Sequence, residues 1–453
     1  MECGAWEVRT RYRAGPLGVH SRNPADRSKQ TSMDSLPNIG LIGQGWTPDV
    51  GGVESVLEHL ARTLVARGHK VHVLALDRGS ERTAWSPRDA VVRGIHVRRL
   101  AVPHAPRVTF EDDLSQPAAN VAVERWARAF DLGAIEVHHM SGFGTGILSV
   151  LARLGIPTAV TLHDRWVLCP RGQMWHVEGG TCGRIDPGAC ASCARSTWPS
   201  LDLDPAAVLR RLNLATQDLA SATARFAPSA SLANTLRAAG IQDIDVRSPI
   251  VDTSRLAGQV ERLRAGRPPG RRLGVLGSVQ PSKGVLELAR AVLATDLPGL
   301  TLEVHGPRGD YHGDTGTSKA LEALAAEHPR IRLHGPFALH ERAAVLATLD
   351  AVAVPSLWEE SYGLSAREAR AVSLPVLATR VGGLRELEGD RGVRFLDPRE
   401  PGDWPEALRS MMFGPIPAPQ HDSDIGSSSP QALDWLAGAG TLDSGSVTIP
   451  RSG

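Results

Sequence analysis

The run Pro355-Ser-Leu-Trp-Glu-Glu-Ser-Tyr-Gly-Leu-Ser-Ala-Arg-Glu-Ala369 carries three carboxylates, Glu359, Glu360 and Glu368. Carboxylates accept hydrogen bonds from hydroxyls, and Glu360 in a loop with Glu368 just inside a helix can reach two parts of one ligand. Lysine occurs only at Lys29, Lys70, Lys283 and Lys319, with arginine at the other basic positions. A lysine beside a ligand in such a chain points to a compact, flexible ammonium where a guanidinium fork would not fit. Lys283 lies in Gln280-Pro-Ser-Lys-Gly284, at the start of a helix, where a cation opposes the helix dipole unless an anion is shared. Gly51-Gly52 would let backbone approach an anion without a side chain. The pair His163-Asp164 follows the apolar run Pro157-Thr-Ala-Val-Thr-Leu162.

These groups need strands that end in loops and helices that begin there. Ala351-Val-Ala-Val354 reads as a buried strand, and Ser365 to Val372 reads as a helix. Free backbone N–H groups at such a junction face the strand's carboxyl edge, so an anionic ligand is expected. Asn38-Ile-Gly-Leu-Ile-Gly43 is a strand, and the helix after Gly51-Gly-Val-Glu54 carries Val56, Leu57, Leu60, Ala61 and Leu64 on one face. Gly68-His69 stops it, and Lys70 to Leu76 is the next strand. Pro48 stands where a dinucleotide fingerprint needs its third glycine, which disfavours a nicotinamide dehydrogenase. Further strands are read at 94–100, 134–139, 157–162, 224–228, 271–277, 301–305, 331–334, 376–379 and 393–396. Helix-length segments between them require parallel pairing. A sugar nucleotide, with hydroxyls at both ends and a diphosphate between, is a ligand of the shape these residues could hold.

The chain has 453 residues, of which 42% are hydrophobic, which favours two domains over one core. A net charge of +1 gives no global field for nucleic acid or membrane. No run of about twenty apolar residues appears, and the N-terminus lacks a signal-peptide core, so a cytoplasmic location is expected, with membrane contact at most peripheral at the inner face. Residues 1–35 read as a disordered leader, with Met33 a candidate true start. Residues 36–253 read as a first Rossmann-like domain, 254–270 as a linker, 271–412 as a second Rossmann-like domain, and 413–453 as an irregular tail.

Four of the five cysteines, Cys169, Cys182, Cys190 and Cys193, fall in a loop spanning 169–199 with the pattern Cys-x12-Cys-x7-Cys-x2-Cys. The Cys-x2-Cys end allows two thiolates to grip one tetrahedral ion, and the other two could complete it. A structural zinc therefore stands beside free thiols or disulfides as readings of this loop. No catalytic metal is implied.

The ordered run from Pro355 through Pro375-Val-Leu-Ala-Thr-Arg-Val-Gly-Gly-Leu-Arg-Glu386 resembles family 4 glycosyltransferases, and the resemblance extends over roughly 38–412. It implies an α/β protein of GT-B fold, two Rossmann-like doubly wound domains facing across a cleft. It also implies retaining transfer of a sugar from a nucleotide donor to an acceptor hydroxyl of unknown class, with no nucleic acid and no cofactor for catalysis. The positions matched are Gly51, Gly52 and Glu54 at the diphosphate and acceptor side, and His163 near the donor sugar with Asp164 its neighbour. Lys283 matches the leaving phosphates, Glu360 the sugar hydroxyls and Glu368 the ribose. Ser361, Tyr362, Gly363 and Leu364 complete the donor loop, which makes His163, Lys283 and Glu360 the expected catalytic set. Some family members have a similar cysteine-bearing insertion, which suits a loop staple. Many have an arginine where Ser278 stands, so Lys283 acts alone or with Arg308. The family's Asn-Gly is replaced by Pro249-Ile250, and its closing helix is not evident in the tail. A GT-B epimerase of sugar nucleotides and a catalytically silent nucleotide-sugar-binding or scaffold protein are the rival readings.

Overall fold

Strands that are apolar at every position must be covered on both sides, and helical crossovers between parallel strands provide that cover. Thr158–Thr161, Ala351–Val354 and Val376–Thr379 are buried throughout. This computed structural model describes residues 36–47, 51–102, 113–201, 203–249, 251–413 and Trp435. From Pro37 onward they belong to one compact unit.

Among the described residues the first lobe runs β1 (Asn38–Ile42), α1 (Gly52–Ala66), β2 (Val71–Arg78), β3 (Pro87–Val92), β4 (Ile95–Val102), α2 (Pro117–Ala129), β5 (Leu132–Val137) and α3 (Gly146–Arg153). It continues with β6 (Thr158–Thr161), α4 (Pro187–Thr197), α5 (Pro205–Ala220), β7 (Ala224–Ala227), α6 (Ala230–Ala238) and β8 (Ile244–Val246). These strands form one sheet in the order β3-β4-β2-β1-β5-β6-β7-β8, parallel except for the antiparallel pair β3 and β4. The second lobe opens with α7 (Thr253–Arg264), β9 (Arg272–Leu276), α8 (Val285–Ala294), β10 (Thr301–His305), α9 (Gly316–Glu327) and β11 (Ile331–Gly335). Then come α10 (Arg342–Thr348), β12 (Ala351–Val354), α11 (Leu364–Ala371), β13 (Val376–Thr379), β14 (Val393–Leu396) and α12 (Trp404–Phe413). Its parallel sheet has the order β11-β10-β9-β12-β13-β14.

Both orders reverse in the interior of the sheet, at β1 beside β5 and at β9 beside β12. Chain connections leave in opposite directions there, which opens a crevice at the carboxyl edge. Alternation along the strands sends side chains into layers on either face. In β1, Ile39 and Leu41 pack with Leu57, Leu60 and Leu64 of α1, whereas Ile42 joins Trp126 and Ile135 on the other face. Ser229 caps α6 as its residue type suggests, its Oγ accepting from Leu232 N at 3.1 Å.

The expected linker 254–270 is largely helical. Asp252 caps α7 by accepting from Arg255 N at 3.0 Å, and Leu256 and Val260, one turn apart, bury with Ala343 and Leu346 of α10. The arginines of this segment mask a helix whose apolar stripe is only two residues wide. The 169–199 segment is also less irregular than its composition suggests, since it contains α4, capped by Asp186. The leader 1–35 with Met33, Pro48, Ile250 and the tail residues 414–434 and 436–453 lie outside the described residues. Within the tail, Trp435 is helical, buried, and packed in the first lobe's cluster with Ile39, Leu41 and Trp46. Among the described residues no helix is long and apolar enough to cross a membrane.

Candidate functional site

Because β9 pairs directly with β12, the loops leaving their carboxyl ends are neighbours. One carries Lys283 and the other Glu360. Gly284 adopts φ +65°, and a Cβ there would lie 2.0 Å from Pro355 O, so only glycine lets the two loops touch at this point. Leu357 N donates to Ser282 O at 2.8 Å and joins them further. The consequence is a direct ion pair, with Lys283 Nζ 2.5 Å from Glu360 Oε1. The same oxygen accepts from Ser356 Oγ at 2.6 Å and Trp358 Nε1 at 3.1 Å. Burial works to raise the Glu360 pKa, but the Lys283 charge and these hydrogen bonds hold it below the usual carboxylate value. Glu360 is therefore an ionised acceptor at neutral pH.

The loop itself rests on the Gly382-Gly383 turn. Gly382 has φ +50°, its N donates to Glu359 Oε2 at 2.6 Å, and a Cβ on it would sit 2.1 Å from Glu360 O. Gly383 N donates to Glu360 O at 2.7 Å. The third carboxylate goes elsewhere. Glu368 is buried in α11 and pairs with Arg342, whose other nitrogen donates to Ser55 Oγ of α1 at 2.7 Å. Burial pushes the Glu368 pKa up to about 7, with Arg342 pulling against it. This contact ties the start of α1 to the second lobe, and a Cβ on Gly52 would stand 3.8 Å from Leu364 Cδ2 at the start of α11. Gly363 caps α11 at φ +79°, Tyr362 is buried with the Arg367 guanidinium 4.0 Å over its ring, and Ser361 is buried beside them. Two helix starts from different lobes thus meet.

In the first lobe β5 and β6 are paired, so their carboxyl ends place His138 beside His163. Their Nδ1 and Nε2 atoms share a hydrogen bond of 2.9 Å, and the rings stack. Burial, with His138 and His139 nearby, drives the His163 pKa well below its ordinary value, so the imidazole is neutral. Behind it, His138 Nε2 lies 3.2 Å from Glu136 Oε1. Burial would lift Glu136, yet Arg247 and His138 hold it far below the carboxylate range. Asp164 faces His139, with Oδ2 3.2 Å from its Nε2. Burial lowers the His139 pKa, but the Asp164 charge prevails and raises it. The next residue, Arg165, is almost wholly buried and reaches across to the second lobe, where its Nη1 donates to Glu359 O. No hydrogen bond or ion pair among the described residues joins His163 itself to Lys283 or Glu360; Arg165 makes the junction.

The cysteine-bearing segment forms a second bridge. Gln173 donates to Gln280 at 3.0 Å and accepts from Ser282 Oγ at 2.5 Å and Tyr311 Oη at 2.9 Å. Between the bridges lies a cavity of about 550 Å³, walled by Arg165, Gln173 and Asn234 on one side and Glu359, Arg385 and Glu386 on the other. Cys169, Cys182, Cys190 and Cys193 line an adjoining space of about 370 Å³, with Cys182 in the wall of both, and none of the four is in a disulfide. Among the described residues no three His, Cys, Asp or Glu side chains stand where they could hold one ion. Burial raises the thiols of Cys169 and Cys190 and pushes Cys182 up to about 12.

Of the expected set, Lys283 and Glu360 come together, Gly52 and Leu364 face each other, and Glu368 is engaged with Arg342. Arg308 Nε donates to Glu322 at 3.2 Å, and its Nη1 is buried with no hydrogen-bond partner among the described residues. Sequence reading missed Arg165, Arg342 and the joining of Arg247 to the Glu136–His138 pair at the end of β5, because each arginine acquires its partner from a distant segment. Only Arg165 had a local cue, standing directly after His163-Asp164.

The family model described as Glycosyltransferase Family 4 matches residues 50–255, and that described as Glycosyl transferases group 1 matches 270–412. The chain is 26% identical over 405 residues to a D-inositol 3-phosphate glycosyltransferase of Arthrobacter sp. (strain FB24), covering 87% of each chain. Among solved structures it resembles sucrose-phosphate synthase from Thermosynechococcus elongatus, with a TM-score of 0.62 at 18% identity, covering 89% of this chain and 96% of that one. It also resembles Anabaena Alr3699/HepE in complex with UDP-glucose, with a TM-score of 0.56 at 18% identity, covering 89% and 94%. Two parallel sheets with facing helix starts, matched lobe by lobe in this way, make the chain a glycosyltransferase of family 4 with the GT-B fold.

Proposed function

We propose that this glycosyltransferase is retaining and takes its sugar from a nucleoside-diphosphate donor, passing it to an acceptor hydroxyl. The observation that carries this reading is the Lys283–Glu360 pair at the adjoining carboxyl ends of β9 and β12, beside the starts of α8 and α11. The barrier is departure of the diphosphate as positive charge builds on the sugar ring. Lys283 and the helix-start amides stabilise the departing charge, and Glu360, held ionised, accepts from the sugar's hydroxyls. Glu368 takes the ribose, and His163, neutral and buried, offers a hydrogen bond to the reacting sugar without adding positive charge. The glutamates act as binders and not as a hydrolytic acid and base pair. That one structural neighbour holds UDP-glucose and the Arthrobacter relative is named for an inositol phosphate acceptor supports both halves of the reading.

A thermal-shift panel of UDP, GDP, ADP and their sugars tests the donor. Ligand at a hundred times its Kd stabilises by about 2.7 kcal/mol, a readily measured rise in melting temperature. Product analysis with the stabilising donor then separates transfer, with retained anomeric configuration, from epimerisation or inert binding. Lys283→Ala should lower turnover about a hundredfold, the scale of one lost charge stabiliser. Undiminished turnover in that variant would remove Lys283 from the mechanism.

A further inference from the structure

Lys283 is bonded to Glu360, so the two together bring no net charge to a diphosphate. Glu359 next door is occupied by Gly382 N and by Arg385, 3.2 Å away. Ser278 offers no charge of its own. A second cation is needed, and the opposite lobe supplies one. The Arg165 guanidinium carbon lies 5.6 Å from the centroid of the Trp358 ring, and Lys283 Nζ lies 5.0 Å from the same ring. The two charges can be no farther apart than those distances laid end to end. Arg165 is 1% exposed, its Nη1 is used by Glu359 O, and its Nη2 is buried with no hydrogen-bond partner among the described residues. A buried guanidinium nitrogen left open is costly, and an anionic oxygen from a ligand is its natural complement.

The backbone of Arg165 is fixed for this purpose. Its N donates to Gly172 O at 3.0 Å, and its O accepts from Leu168 N and Cys169 N at 2.9 and 2.8 Å. Buried Arg211 then holds the following carbonyls, Trp166 O at 2.7 Å and Val167 O at 3.1 Å. The start of the cysteine-bearing segment and α5 therefore aim one side chain across the cleft.

We propose that Arg165 is the second cation of the diphosphate site, contributed by the first lobe to complement Lys283 of the second, with Nη2 donating to a phosphate oxygen of the donor. This rests on the nucleoside-diphosphate reading above. In the reaction the bond from the anomeric carbon to the phosphate oxygen breaks and both its electrons go to that oxygen. The acceptor oxygen bonds the carbon, and its proton passes to the departing phosphate. Arg165 meets the charge that develops there, and because it comes from the other lobe it does so only when the lobes are together.

The test compares binding of the stabilising nucleoside diphosphate with that of its bare nucleoside in the full chain, in Arg165→Gln and in Arg308→Gln. Glutamine keeps a donor for Glu359 O but no charge. The expected result is a diphosphate Kd at least tenfold weaker in Arg165→Gln, an unchanged nucleoside Kd, and turnover about a hundredfold lower. Arg165→Lys, which keeps the charge without the fork, should recover part of the binding and little of the turnover. An unchanged ratio of the two Kd values in Arg165→Gln overturns the proposal, as does loss of diphosphate binding in Arg308→Gln alone. If the unaltered chain binds no nucleoside diphosphate, the donor reading fails first and this one with it.

Discussion

Glu360 and Glu368 come from one loop-to-helix segment and end in opposite electrostatic states. Around Glu360, a lysine and two further donors overcome burial. Around Glu368, burial wins over one arginine and the carboxyl titrates near 7. The second case has a measurable sign. Between about 4.5 and 7 the unfolded chain has released this proton while the folded chain keeps it, so unfolding releases a proton and stability falls as pH rises. The contribution is fully present below the unfolded value and is lost by the time pH passes the folded one. At about 1.4 kcal/mol per unit the whole swing is roughly 3 kcal/mol. In Glu368→Gln the difference from the parent melting temperature should shift in the variant's favour from pH 5 to pH 8. A difference independent of pH would show that Arg342 keeps Glu368 ionised throughout.

At the scale of elements, the site depends on how closely two loops are seated. The Gly382-Gly383 turn lies against the Glu359–Ser361 backbone, and neither residue has room for a side chain. Gly382→Ala would add strain at φ +50° and a clash with Glu360 O, so the acid loop must lift away from Lys283. A cost of about 2 to 4 kcal/mol is expected from positive-φ strain plus overpacking. Urea unfolding reads that cost, and donor binding should weaken along with it. A variant as stable as the parent would mean that the turn and loop move apart freely. The Gly-Gly pair was visible in the sequence as a turn. What it supports was not, because its contact lies more than twenty positions back along the chain.

Across the whole molecule, the lobes are joined by Arg342 to Ser55, Arg165 to Glu359, Gln173 to Ser282, and Glu386, whose Oε1 accepts from Ala230 N at 2.8 Å. Trp435 adds a further tie from beyond α12, being buried in the first lobe's core after the chain has completed the second sheet. Trp435→Ala should cost about 3 to 5 kcal/mol, the usual range for removing a buried aromatic. Denaturant titration measures it, and a loss below about 1 kcal/mol would mean that this tie carries no packing energy.

Most of the strands, the parallel crossovers between them and the place of Lys283, Glu360 and His163 just beyond strand ends followed from the sequence alone, whereas the antiparallel β3 and the short β8 did not. Periodicity and end signals are local, and an apolar strand followed by a glycine-started helix has few alternatives. The contacts of those residues did not follow. That Lys283 meets Glu360, that Glu368 turns to Arg342, that most of the arginine-rich 254–270 segment packs as α7, and that the four cysteines line one space were all decided by the tertiary structure. Each depends on which segments lie side by side, and that is fixed by sheet order and by burial shared between residues far apart in the chain.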